Sequence, residues 1–191
     1  MIREAVITTI DANGAAHITP LGYRLSNEYV LLAPFVPSRT LDNLRQRPAA
    51  TLNFTDDVRI IAGALTGQRS WPTSPTSRID GLRLADLLAH WELEVASVRE
   101  HPERPEFLCR IVAEVNHRPF LGFNRAQAAV LELAILVSRL DWLPADKVQI
   151  EREYLQIAVN KTGGPNEHQA WAWLTAAIDA HPRHQTRRMP Q

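Results

Sequence analysis

Residues 5–22 read AVITTIDANGAAHITPLG, and the fold turns on how this stretch is read. Val6, Ile7, Thr8, Thr9 and Ile10 form a β-branched run of the kind that fits a pleated, half-buried surface. Asp11-Ala12-Asn13-Gly14 follows, and Asn-Gly supplies the positive φ angles of a tight hairpin turn. Residues 15–23 are therefore expected to return antiparallel to the first strand. Within that return Pro20 denies the ladder a donor, and Gly22 lets a ligand or another backbone come close. From the pattern alone this is either a strand edge open to a flat ligand or an ordinary edge strand with a bulge.

Outward from this hairpin, a third strand is expected at residues 28–32, after the polar Ser26-Asn27 turn, and Pro34 and Pro37 bracket a connection. Residues 38–47 read as a short helix: Ser38 caps it, Asp42 suits its first turns, Arg45 and Arg47 its last, and Pro48 follows. Leu41 and Leu44 face the core. Two further strands are expected at 50–54 and 58–65, with Thr55-Asp56-Asp57 as the turn, then a loop over 67–76 and a short helix around 82–88. Long strands are expected at 91–99 and 107–116. In the second, Phe107, Cys109, Ile111, Ala113 and Val115 alternate with Arg110, Glu114 and Asn116. Short strands in hairpin succession with one intervening helix indicate an antiparallel barrel rather than a doubly wound sheet.

After Gly122 the apolar period changes from two to about 3.6. Helices are expected at 125–140, 145–160 and 167–180, with Gly163-Gly164-Pro165 dividing the last two. The stripe of Ala170, Trp173, Leu174, Ala177 and Ile178 needs a partner surface. The expected organisation is a barrel over 1–121, a three-helix extension over 122–181, and a disordered tail over 182–191.

The chain has 191 residues, 45% of them hydrophobic and 22% charged, the balance of an ordinary globular protein with one substantial core. Twenty-one Lys and Arg offset 21 Asp and Glu, so no overall field draws it toward nucleic acid or an anionic membrane. The lone Cys109 excludes an internal disulfide and fits a reducing cytoplasm. Met1-Ile2-Arg3 opens no export signal. The most apolar stretch, residues 126–137, is broken by Glu132 and is shorter than the roughly 20 residues of a membrane span.

Three further segments carry candidate chemistry. Pro37-Ser38-Arg39-Thr40-Leu41-Asp42-Asn43-Leu44 puts hydroxyls, a guanidinium and free N–H groups at a helix start. Those are the parts of a phosphate cradle and equally of a plain cap with a surface arginine. Asn124-Arg125 repeats the choice at the long helix, and Lys161-Thr162-Gly163-Gly164 is either an anion-friendly corner or a helix stop. Histidines at 17, 90, 101, 117, 168, 181 and 184 form no metal-ligand spacing, so no bound metal is expected. Glu92 and Glu94, two apart on a strand, read as a solvated face. No G-x-S-x-G, Walker or G-x-G-x-x-G motif occurs.

The ordered set VITTIDANGAAHITPLG (6–22), SRTLDNL (38–44) and LNFTDD (52–57) resembles the FMN-binding split-barrel superfamily, which includes pyridoxamine-phosphate-oxidase-like and flavin-reductase-like proteins. GFNRAQAAVLELAILVSRL (122–140) and NKTGGPNEHQAW (160–171) resemble the C-terminal part of one branch, domain-of-unknown-function family 447. The resemblance implies an α+β fold, an antiparallel split β-barrel with a C-terminal helical extension, working as a homodimer with FMN near the subunit interface. Carried onto this sequence, Thr19, Pro20, Leu21 and Gly22 line the flavin ring. Ser38, Arg39, Thr40 and Asn43 hold the phosphate, and Asn53 and Arg125 are further contacts. The implied activity is that of a flavin-dependent oxidoreductase on an unknown small molecule, with a pterin of one-carbon metabolism among the conceivable ones. A non-catalytic flavin carrier or sensor and a cofactor-free dimerisation module are the alternatives. His17 and His117 are the side chains that titrate in a useful range for proton donation, but nothing in the sequence places either at the flavin and neither is read as catalytic.

Overall fold

A computed structural model describes residues 1–184; residues 185–191, most of the expected tail, lie outside the described residues. The chain divides into two compact units, one comprising Met1–Asp56 and Ser70–Phe120, the other Asp57–Arg69 with the described residues from Leu121 onward.

The first unit is a closed antiparallel barrel of six strands among the described residues, in the lateral order Ile2–Ile10, Ala16–Ser26, Tyr29–Leu32, Glu106–Asn116, Ala89–Arg99, Ala49–Phe54. β1 (Ile2–Ile10) returns as β2 (Ala16–Ser26), pairing from Ile2 with Arg24 to Ile10 with Ala16. The loop between them, residues 11–15, is wider than the tight Asn-Gly turn expected. Only Gly14 takes positive φ, at 81°, while Asp11 Oδ1 accepts from the Asn13 and Ala15 N–H groups, each at 2.9 Å. The aspartate side chain thus builds the turn that Asn-Gly was expected to build. β3 (Tyr29–Leu32) continues the meander, α1 (Arg39–Gln46) follows, and β4 (Ala49–Phe54) closes against β1. A small hairpin, β5 (Thr73–Pro75) with β6 (Leu82–Leu84), occupies the region expected to be a loop and a short helix. β7 (Ala89–Arg99) and β8 (Glu106–Asn116) complete the barrel.

Strand alternation sends one row of side chains inward. Ala5 and Ile7, Tyr23, Val30 and Leu32, Ala50 and Leu52, Leu93, Phe107 and Cys109 form the interior with Leu41 and Leu44 of α1. Phe54 and Trp91 meet edge to face, ring centroids 4.9 Å apart, and Tyr23 approaches both.

The second unit contains α2 (Arg59–Thr66), α3 (Arg125–Val137), α4 (Ala145–Thr162) and α5 (Pro165–Ala180). The strand expected at 58–65 is therefore a helix, and it packs with α3 and α5. Its β-branched Ile60 and Ile61 favour a strand locally, but Val58 and Ala62 join the helical core of Ala126, Ala129, Val130, Leu133, Ala170 and Leu174, and tertiary packing decides. The signals were present in the chain: Asp57 Oδ1 accepts from the Arg59 N–H at 3.0 Å, and Gly67 ends the helix at φ 91°. No helix among the described residues is long and apolar enough to cross a membrane.

Candidate functional site

At the start of α1, Ser38 has extended dihedrals and its Oγ accepts from the Leu41 N–H at 3.3 Å, while the Ser38 carbonyl accepts from Asp42 N at 3.1 Å. The N–H groups of Arg39 and Thr40 remain, since a helix cannot pair its own first donors. Arg39 is exposed and takes part in no ion pair among the described residues, whereas Arg24, Arg45 and Arg47 each hold a carboxylate. Thr40 is buried. Asn43 is buried too, and its Nδ2 donates to Thr9 Oγ1 at 2.9 Å, which ties α1 to β1. Of the four residues assigned to the phosphate, Ser38, Arg39 and Thr40 frame the helix start, while the Asn43 amide serves the scaffold.

Thr19, Pro20, Leu21 and Gly22 are half-buried in β2 and pair with Ile7, Val6, Ala5 and Glu4 of β1. β3 pairs with β2 only from Tyr23 to Ser26, so this stretch of β2 has strand pairing on one side alone. Pro20 lies in the singly paired part, as a residue without an N–H must. Gly22 has a reason inside the chain: a Cβ there would stand 3.0 Å from Ile2 Cγ2, tighter than ordinary contact. α1 and β2 both contact β1, so the helix start and the β2 edge are held by a common strand.

Asn53 does not fit the role of a flavin contact. It is fully buried, its Nδ2 lies within 3.0–3.2 Å of Val6 O, Thr8 Oγ1 and Thr51 O, and its Oδ1 accepts from Leu84 N at 2.9 Å. Its hydrogen-bonding capacity is used within the fold. Arg125 stands exposed at the first position of α3, in the second unit. There Asn124 Oδ1 accepts from Ala126 N and Gln127 N, and Thr162 Oγ1 also receives Ala126 N. Two of the donors an anion would use at that helix start, the Ala126 and Gln127 N–H groups, are engaged. The 161–164 corner is a helix stop: a Cβ on Gly163 would stand 2.6 Å from Val159 O, and Gly164 N donates to Glu167 Oε2 at 2.8 Å.

One cluster was missed. Glu92, read from sequence as solvated, is 0% exposed on the outer face of β7. Its carboxylate accepts from Ser77 N at 2.7 Å, Ser77 Oγ at 2.9 Å, Arg78 N at 2.6 Å and Ile79 N at 3.1 Å. Burial alone would raise its pKa, but these donors outweigh burial and bring it down to about 2. His90 Nε2 faces Glu92 Oε1 at 3.4 Å, and His90 Nδ1 meets His117 Nε2 at 2.9 Å, the two ring planes 15° apart. Burial holds His90 below the usual histidine pKa, and burial, Arg83 and His90 do the same for His117. No sequence signal marks this cluster, because its main donors are backbone N–H groups of an irregular loop. Among the described residues, no group of three or more His, Cys, Asp or Glu is placed to hold a metal ion.

Compared with known proteins, residues 3–118 match the family model described as protein of unknown function (DUF447), N-terminal domain, and residues 124–176 match the further DUF447 model. No curated protein matches the chain. Among solved structures, an FMN-bound DUF447 protein from Methanosarcina mazei superposes with a TM-score of 0.80 at 17% identity, over 93% of this chain and 95% of that one. The 2-nitrobenzoate 2-nitroreductase of Pseudomonas fluorescens aligns at TM-score 0.52 and 19% identity, over 60% of this chain and 64% of that one. The styrene monooxygenase flavin reductase of Pseudomonas putida S12 aligns at TM-score 0.51 and 18% identity, over 62% and 82%. These likenesses concern the fold alone, a split barrel, and the first of them extends over 93% of this chain.

Proposed function

The chain belongs to the DUF447 family, and from that premise we propose that its barrel unit binds FMN and that the protein is a flavin-dependent oxidoreductase acting on a small molecule. The observation that carries the reading is the helix start at Ser38, where an exposed arginine without an ion pair among the described residues and two first-turn N–H donors stand on a helix tied to β1 by Asn43. That donor set fits a phosphate monoester: fixed N–H groups, partial positive charge and a guanidinium fork. Ser38, Arg39 and Thr40 would hold the phosphate, and the singly paired stretch Thr19, Pro20, Leu21 and Gly22 would receive the ring. FMN, when bound, supplies hydride or electron transfer. The chain's residues bind and orient it, which agrees with the lack of a nucleophile motif. The FMN-bound relative from Methanosarcina mazei supports FMN as the ligand.

The reading includes a homodimer. Ile150, Tyr154 and Ile157 lie at helical spacing on α4 and are 65%, 74% and 47% exposed, an apolar stripe suited to a second copy. Light scattering at micromolar concentration tests it: a mass of two chains agrees, and a mass of one chain overturns this part of the proposal. The cofactor is tested by the absorption spectrum of the purified protein and mass spectrometry of what denaturation releases. Flavin bands with released FMN are expected. A colourless protein that also fails to take up added FMN overturns the reading.

A further inference from the structure

The buried triad on the outer face of β7 has a fixed proton order. Glu92 has four hydrogen bonds from the 77–79 loop and, as an ionised carboxylate, only accepts. His90 therefore carries its proton on Nε2, toward Glu92, and presents Nδ1 as an acceptor. His117 must then donate through Nε2, which leaves Nδ1 of this exposed residue as the atom where a proton arrives or departs. The order holds whether His117 is neutral or charged, so protonation of Nδ1 breaks no bond in the array.

Strand register connects the triad to the β2 edge. Pro20 pairs with Val6, Val6 with Asn53, and Asn53 with His90, one lateral row across four strands. Three strand spacings of roughly 4.8 Å separate its ends, on the order of 14 Å. The row between them is dry, with Val6 and Asn53 at 1% and 0% exposure, and exposed His117 stands beyond its far end, joined to it by the hydrogen bond to His90.

We propose that Glu92, His90 and His117 form a carboxylate-anchored relay whose terminal atom, His117 Nδ1, takes up and releases the proton that accompanies hydride transfer on this barrel. The inference rests on the flavin reading. A hydride brings two electrons and one proton, and its arrival from a hydride donor adds one negative charge at the β2 edge. That charge favours protonated His117, which takes one proton from solvent at Nδ1; departure of the hydride reverses both events. The charged groups around His117 are His90 from β7, Arg83 from β6, and its neighbour Arg118, which itself pairs with Asp56 and Asp86. Arg83 opposes protonation of His117, while the charge of Arg118 is offset by its two aspartates.

Two measurements on the full chain test this. Nitrogen-15 NMR of the histidine rings should show His90 as the Nε2–H form without titration near neutrality, and His117 as Nε2–H gaining its proton at Nδ1. His90 as the Nδ1–H form overturns the relay. The midpoint potential of bound FMN, followed against pH, should change slope at the titration midpoint of His117 and lose that change in His117→Gln. An unchanged profile in His117→Gln, with FMN bound normally, overturns the proton-coupling role. Because His117 is exposed, this variant should fold, whereas Glu92→Gln disturbs the loop as well. Failure to bind FMN would overturn the flavin reading and the coupling built on it, while the NMR result decides the relay independently.

Discussion

The Leu84 N–H donates to Asn53 Oδ1 at 2.9 Å, which fastens the β5–β6 hairpin to barrel strand β4 through a single buried amide. The same amide donates to acceptors on β1 and β4. Asn53→Ala leaves the Leu84 donor and the Val6 and Thr8 acceptors unpaired in a dry site, and should destabilise the barrel by about 2–4 kcal/mol. Asn53→Asp is nearly isosteric but turns an oxygen toward those acceptors and should be at least as damaging. Urea unfolding followed by tryptophan fluorescence measures both, and wild-type stability in Asn53→Asp would refute the assigned network.

Glu92 makes stability depend on acid. Its folded pKa of about 2 lies below the ordinary value of 4.5, so its contribution is complete above pH 4.5 and is lost as pH falls from there toward 2. A shift of this size corresponds to on the order of 3 kcal/mol. His90 adds a loss of the same sign that begins below its ordinary value of 6.5, because folding favours its neutral form. The melting temperature should fall modestly from pH 7 to 5 and steeply below 4.5. Glu92→Gln should start lower and show a shallower decline in the acid range.

Arg39 and Ser38 should separate binding from folding. Arg39→Ala removes an exposed guanidinium and should leave unfolding within about 0.5 kcal/mol of wild type. It should raise the Kd for FMN about tenfold, the loss of one charge-assisted hydrogen bond. Ser38→Ala removes the cap and should cost about 1 kcal/mol of stability. Flavin fluorescence titration beside urea unfolding distinguishes the two, and an unchanged Kd in Arg39→Ala would remove the phosphate site from α1.

Cys109 is fully buried, and burial pushes its thiol up to about 12. At pH 8 the native protein should not react with a thiol reagent such as Ellman's, while the unfolded chain should release one equivalent. Fast native labelling would mean that the barrel interior opens readily.

The barrel was legible where local chemistry and tertiary environment agree. Alternation marked β8, turn residues marked the β1–β2 return, and Ser38 with Pro48 bounded α1 within a residue or two. Reading failed where distant groups decide. Ile60 and Ile61 look like strand residues until Val58 and Ala62 find the alanine-rich faces of α3 and α5. Glu92 looks solvated until the 77–79 loop folds over it. Asn53 was singled out within a motif, yet its saturation by Val6, Thr8, Thr51 and Leu84 follows from register.

The excursion of residues 57–69 into the helical unit has a consequence for the order of synthesis. α2 leaves the ribosome roughly 60 residues ahead of α3, and its apolar side must wait while four more strands are made. A nascent chain halted near residue 121 would hold every barrel strand and one unpaired amphipathic helix, a target for a chaperone or for aggregation. The boundary between the two family models, at residues 118–124, therefore marks no place to cut: an expression fragment ending there should be less soluble than the whole chain.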